Sequence, residues 1–515
     1  MSNTPEQQTK KSGIWGASSN LLNSIVGAGI IGLPYALRQS GLIAGVILLL
    51  LVSVLTDYSL RLITKLAQQH PKLKSNNVMT FEHLSSFPFG SVGNYFILTN
   101  MFLLAYGAMV AYLLIIKDTV PPLIGLYNGI EREIVLVLTS LVVIVPLSCR
   151  RDMAALSFTS FLSVTCDALL VVFIAIYSPI QSTVEENGGF GEVLHDKSIR
   201  STVFVGLGII STAMACQHSC FIVHNSLENN SEERWAKVTF QSLFMAFVMC
   251  AILAVSGYLG YLDNTLGDVL NNFEPDSVVA NGARGLLAIT MFFTYPMEAF
   301  VGRHVIYQLF FHLDSNSADV EDAHSGMRYK VTISLYLATL LPALVFDDLG
   351  PVLSITGSLG GSCIAYIAPG MVFLGVYGDE FIAYMNGKSS SISRDSDGGG
   401  DVELPVAGNN ERKIATSAPA VKPELPVVGE STRVLQVPSY RRPWWWFPLL
   451  IPLWMSIAEY GSAGMRLKHA SVTFPEVAPR GCDYVIAILY ILFGVIAAVA
   501  GLVSIFFIEA DEQPL

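Results

Sequence analysis

The sequence predicts an all-α polytopic membrane protein, and three observations carry that reading. Charged residues make up only 14% of 515 residues, while AVILMFWYC reach 52%; a soluble protein has about 25% charged residues. The charge is missing in blocks: Gly41–Thr56, Ser91–Ile116, Ile134–Cys149, Val238–Leu262 and Tyr484–Ile508 hold no Asp, Glu, Lys or Arg. A spanning helix needs about 20 mostly apolar residues. Finally, Lys and Arg fall unevenly between alternate loops. Disorder, a coiled coil and a small disulfide-stapled domain are excluded.

Eleven spans follow in order, at about 14–38, 41–66, 93–117, 133–149, 153–178, 201–225, 236–261, 280–310, 329–347, 350–376 and 483–508. The eighth is long enough to require tilt. A cytoplasmic N-terminus puts Lys10, Lys11, Lys65, Lys72, Lys74, Arg150, Arg151, Arg234, Lys237, Arg328 and Lys330 inside. The opposite side then receives only Arg38, Lys117, Arg132, Lys197 and Arg200, and its 262–279 loop carries Asp263, Asp268, Glu274 and Asp276. The expected domains are a cytoplasmic tail (1–12), a ten-helix core (13–378), a disordered cytoplasmic loop (379–443), an interfacial apolar segment with its loop (444–482), and the last helix with its tail (483–515). The loop is rich in Ser, Gly and Pro and cannot bury a core. Trp444–Ala458 is short, contains Pro448 and Pro452, and begins with three tryptophans suited to the interface. If it spanned, the count would be twelve.

Several function classes drop out. There is no basic stripe for nucleic acid. Residues 1–13 are polar and the first apolar run is too long for a cleavable signal, so none is expected. The seven cysteines lie mostly in apolar runs and read as free thiols packed between helices. Cys216 and Cys220, with one nearby His, make a poor zinc site. No nucleophile–base or metal constellation suggests an enzyme or a cofactor. Asn229-Asn230-Ser231 is a glycosylation triplet, but this topology turns it to the cytoplasm.

Glycine and proline inside spans mark places where a membrane helix opens, because such a helix must otherwise satisfy its own backbone. The first span reads Asn20-Leu-Leu-Asn-Ser-Ile-Val-Gly-Ala-Gly-Ile-Ile-Gly-Leu-Pro34. A break there frees N–H groups for a carboxylate and C=O groups for Na⁺ or an amine; close packing through small residues is the alternative. The sixth span holds Gln217, His218 and Ser219 near its middle. Breaks at positions one and six fit a transporter built from two inverted five-helix repeats.

Ionisable groups within spans are costly and so informative. Asp57 stands four residues before Arg61, which suits a structural pair. Asp167 is either a neutral hydrogen-bonded acid or a functional one. His218 is either a packed histidine or a switch. Glu298 follows Pro296, and Thr290 and Thr294 share a face that could offer oxygens to a small cation. Glu298 either carries a proton or anchors its helix through Arg303 or Arg284.

These motifs resemble the amino acid/auxin permease family, in its branch of vacuolar amino acid transporters and sodium-coupled neutral amino acid transporters. Asn23-Ser-Ile-Val-Gly-Ala-Gly-Ile-Ile-Gly-Leu-Pro-Tyr35 is similar to the first-helix signature, Cys216-Gln-His-Ser-Cys-Phe-Ile-Val-His-Asn-Ser-Leu-Glu228 to the sixth-helix motif, and Thr294-Tyr-Pro-Met-Glu-Ala-Phe-Val-Gly-Arg303 to the eighth-helix segment. Asp57-Tyr-Ser-Leu-Arg61 and Pro146-Leu-Ser-Cys-Arg-Arg-Asp152 also fit. The resemblance implies eleven helices with a five-plus-five inverted repeat and discontinuous helices one and six. It implies symport or antiport of amino acids, such as glutamine, with Na⁺ or H⁺. Substrate would meet Val26, Gly27, Ala28, Gly29, Cys216 and Gln217. A coupling ion would involve Asn23 and Thr294, as a Na⁺ site, with Thr290, His218 and Glu298 nearby. A vacuolar or lysosomal membrane is expected, with the plasma membrane as alternative. Gln217 and Ser219 depart from the family's usual His and Asn. The rival reading is a membrane sensor that binds an amino acid with little flux.

Overall fold

The computed structural model describes residues 12–27, 29–76, 78–149, 157–196, 199–311, 325–378 and 481–511. Ala28, the 379–443 loop and Trp444–Ala458 therefore lie outside the described residues. The regular secondary structure among the described residues is helical, apart from one isolated β-bridge.

Helical runs occupy the places of the eleven expected spans. The first is α1 (Ile14–Ile25), a short 3-10 turn and α2 (Leu33–Ser40). Then come α3 (Leu42–Gln69), α4 (Phe81–Leu123), α5 (Gly129–Thr139, continued by a π turn) and α6 (Ser157–Tyr177). The sixth run is α7 (Val203–Met214) followed by α8 (Gln217–Ser226). After it stand α9 (Glu232–Tyr261), α10 (Val278–Ile306), α11 (Ser325–Val345), α12 (Leu349–Thr356) leading through π turns to α13 (Ala368–Val376), and α14 (Gly481–Asp511). Eight of these runs are long and apolar enough to cross a membrane, and the bent α1–α2 pair makes a ninth. Gly129–Ser148 and Ser325–Val345 fall outside that count. The chain is an integral, multi-pass membrane protein.

Two boundaries move. The third run begins at Phe81 rather than near 93, because Thr80 caps it and Gly90 absorbs a kink at φ 60°. It also runs past Lys117, so that residue is not a loop cation. Lys117 is 3% exposed within α4 and donates to Asp347 at 2.7 Å and to the Ala343 and Phe346 carbonyls. Charge placement alone cannot tell a solvated lysine from one whose ammonium is satisfied inside.

Outward faces of the helices stay apolar where lipid is expected, as with Ile47, Leu50 and Val54 on α3. Lipid tails give no hydrophobic drive between helices, so association depends on close packing. A Cβ on Gly357 would fall 1.8 Å from the Gly208 carbonyl, which fixes how near the tenth run sits to α7. Polar cross-links add to this: Tyr490 donates to the Leu55 carbonyl at 2.7 Å, and Tyr295 meets Thr339 at 2.8 Å. At the start of α1, the Ser12 amide donates to the Ser226 carbonyl at 2.8 Å and the Glu228 amide donates to the Ser12 carbonyl at 2.9 Å. The first run is thus tied by backbone to the end of α8.

Candidate functional site

Both expected breaks are present and they abut. α1 ends at Ile25, Val26 leaves helical geometry at ψ 70°, and α1 and α2 bend by 50°. α7 ends at Met214, Ala215 is extended at ψ 114°, and α8 starts at Gln217. A Cβ on Gly29 would stand 2.4 Å from the Ala213 Cα, so only glycine lets the first break lie against the second. Each break sets a carbonyl-ended half-helix beside an amide-ended one, which supplies both partial charges that an amino acid zwitterion needs.

Side chains brace this geometry. Gln217 is fully buried: its Oε1 accepts the Cys216 amide at 3.1 Å and its Nε2 donates to Ser59 at 2.9 Å. Ser219 donates to the Cys216 carbonyl at 2.9 Å. Gln217 and Ser219 thereby hold the second break in shape. Cys216 sits in the break itself, whereas Cys220 lies within α8. Its thiol is buried, and the cysteines described are all free. Tyr112 was not singled out in the sequence, yet a Cβ on Gly27 would lie 2.8 Å from its hydroxyl. One tyrosine in a charge-free run gives no signal of where it points.

The expected ion residues lie on a seam between α1, α6 and α10. Asn23 donates to Ser160 at 3.4 Å and to Met297 Sδ at 3.3 Å, while its own Oδ1 is buried without a partner. It reaches α10 three residues beyond Thr294. Thr294 donates to the Thr290 carbonyl at 2.8 Å, and Thr290 to the Leu286 carbonyl at 3.3 Å. α10 is continuous through Pro296, so this wall offers hydroxyls more than freed carbonyls.

His218 and Glu298 are brought together. His218 Nε2 and Glu298 Oε1 are 3.2 Å apart, with both side chains buried. Glu298 does not anchor through Arg303 or Arg284. Arg303 donates to the Ser148 carbonyl and Thr332, and Arg284 is taken up by the Leu270, Phe273, Glu274 and Pro275 carbonyls and Asn281. The sequence distance of 80 residues hid the true partner. His218 Nδ1 and Glu298 Oε2 remain buried and unpartnered. Asp57 and Arg61 form the expected pair at 2.7 Å, and Arg61 also reaches Thr239 on α9.

Comparison with known proteins places the chain in a family. The model described as transmembrane amino acid transporter protein matches residues 10–385. Vacuolar amino acid transporter 2 of Saccharomyces cerevisiae is 29% identical over 70% of this chain and 76% of its own length. A putative sodium-coupled neutral amino acid transporter 11 of Rattus norvegicus is 29% identical over 69% of this chain and 76% of its own. A solved structure of a mutant manganese transporter from Eremococcus coleocola aligns at 13% identity with a TM-score of 0.44, covering 98% and 97% of the two chains; at that distance it carries no argument.

Proposed function

The chain belongs to the transmembrane amino acid transporter family, and we propose that it is a secondary active transporter of neutral amino acids, such as glutamine, working by alternating access. Members of this family are membrane transporters and not enzymes. The observation that carries the proposal is the contact of the two breaks through Gly29 and Ala213. The substrate's α-carboxylate would meet the amides of the first break, around Gly27, Ala28 and Gly29. Its α-amino group would meet the carbonyl ends at Val26 and Cys216. Gln217 shapes the second break. The α1–α2 and α7–α8 pairs would rock against α4, α6 and α10, with the N-terminus in the cytoplasm.

Uptake is coupled to H⁺ or Na⁺ in this reading, with Asn23, Thr290 and Thr294 on the ion seam and the His218–Glu298 pair linking α10 to the second break. A vacuolar or lysosomal membrane fits the yeast relative's name. The test is uptake of labelled amino acids into proteoliposomes under a Na⁺ gradient, a pH gradient or neither. Gradient-driven accumulation of neutral amino acids is expected. Binding without flux under any gradient overturns transport and supports the sensor. A Thr294→Ala protein with unchanged Na⁺ dependence removes that residue from an ion site.

A further inference from the structure

Asp167 stands apart from the other buried acids among the described residues. Glu82 and Glu298 each face an imidazole. Asp118 takes Arg132 and Asn271, and Asp268 accepts the Leu270 amide at 2.8 Å. Asp167 lies in the middle of α6, 1% exposed, and neither carboxylate oxygen has a hydrogen-bond partner.

The helices packed against it bring no cation. α1 has no titratable side chain. From α10 the Thr290 hydroxyl approaches Asp167, but it donates to the Leu286 carbonyl. The charged groups of α10 are committed elsewhere, as described above. From α9 the facing group is the Cys250 thiol, and on α6 itself Cys166 is adjacent. One turn back on the same face, the Ser163 hydroxyl is also buried without a partner, and one turn further Ser160 takes the Asn23 amide. The ion seam therefore continues along α6 from Asn23 and ends on an unpaired carboxyl.

We propose that Asp167 binds and releases the proton that drives transport, so that the coupling ion is H⁺. This rests on the transporter reading and deepens it by naming the ion. An isolated carboxylate away from water is neutralised rather than kept charged. With α1 closed over the seam, Asp167 holds its proton. When the α1 half-helix swings away and admits water, the carboxyl O–H bond breaks, the proton passes to water and the electron pair stays on the carboxylate. Each load state thus favours one position of α1, and a group biases a conformational equilibrium only through such a difference.

The experiment uses the full chain in proteoliposomes with a pH-sensitive dye inside, comparing uptake with and without an imposed gradient of about one pH unit. One proton per substrate then gives up to about tenfold accumulation. Wild type is expected to show it, with dye-reported proton entry that depends on amino acid. In Asp167→Asn the residual uptake is expected to lose its response to the gradient, its ratio with and without falling to about one, with no coupled proton signal. Asp167→Glu is expected to keep the drive and move the pH profile of uptake. Retained gradient drive and proton entry in Asp167→Asn overturn the proposal. Should Asp167→Asn be inactive, an Asp167→Glu pH profile identical to wild type overturns it. Wild-type uptake driven by Na⁺ without proton movement overturns Asp167 and leaves the transporter reading standing; no amino acid flux at all removes that reading itself.

Discussion

The C-terminal end of α4 and the seam beside α1 are both rich in buried polar groups, but they are finished differently. At the end of α4, Lys117 meets Asp347 and two carbonyls, and Asp118 meets Arg132 and Asn271. Along the seam, Asn23 Oδ1, Ser163 Oγ and both Asp167 oxygens have no partner. A buried polar group left unmade costs about 1–3 kcal/mol. Satisfied groups lock a structure, whereas unsatisfied ones retain capacity for something that arrives and leaves. The molecule is built shut at one place and chemically open at the other.

That contrast can be broken first at the closed end. Arg132→Ala leaves Asp118, 6% exposed, without its cation, and stability should fall by about 3 kcal/mol; a melting curve in detergent unchanged from wild type would show that the pair fixes nothing. Gly29→Val comes next. Its side chain cannot fit 2.4 Å from Ala213, so uptake should drop roughly 100-fold while the protein still reaches the membrane. Wild-type flux would mean the breaks do not need to touch.

Smaller effects sharpen the picture. Glu298→Gln can still hydrogen-bond His218, so pH-gradient drive should survive, unlike in Asp167→Asn. Loss of the drive in both variants would spread coupling over two sites.

Asp268 gives a test outside the membrane. Burial, reinforced by the nearby Asp118 carboxylate, pushes its carboxyl up to about 7. Its ordinary value is 3.8, so between those values the folded state holds a proton that the unfolded state releases. Stability from this group is therefore full at low pH and is lost as pH rises towards about 7. Asp268→Asn should raise thermal stability at neutral pH and flatten that dependence. A neutral-pH loss would reverse the sign. Asp57→Asn should matter least, by less than about 1 kcal/mol, because Arg61 is 38% exposed and keeps Thr239.

Much of this was legible along the chain because a membrane makes local demands. Long charge-free runs had to be helices, and Gly27, Gly29 and Pro34 could only mean an opening or very close packing. The structure gives both at once, since the opening exists where Gly29 packs on Ala213. Asp57–Arg61 was readable because its partners are one helical turn apart. His218–Glu298 and Lys117–Asp347 were not, because they depend on how distant helices pack. The solitude of Asp167 was hidden for the same reason, as no residue type or spacing says that every neighbouring helix will turn an uncharged face towards it.

The link between Ser12 and the end of α8 is made of main-chain amides and carbonyls. Alanine scanning would therefore pass over it, since exchanging the side chains at 12, 226 or 228 leaves every donor and acceptor in place. A proline at Ser12 or Glu228 deletes one amide and so acts as a selective key, freeing the first half-helix at its entry without altering the chemistry of the pocket.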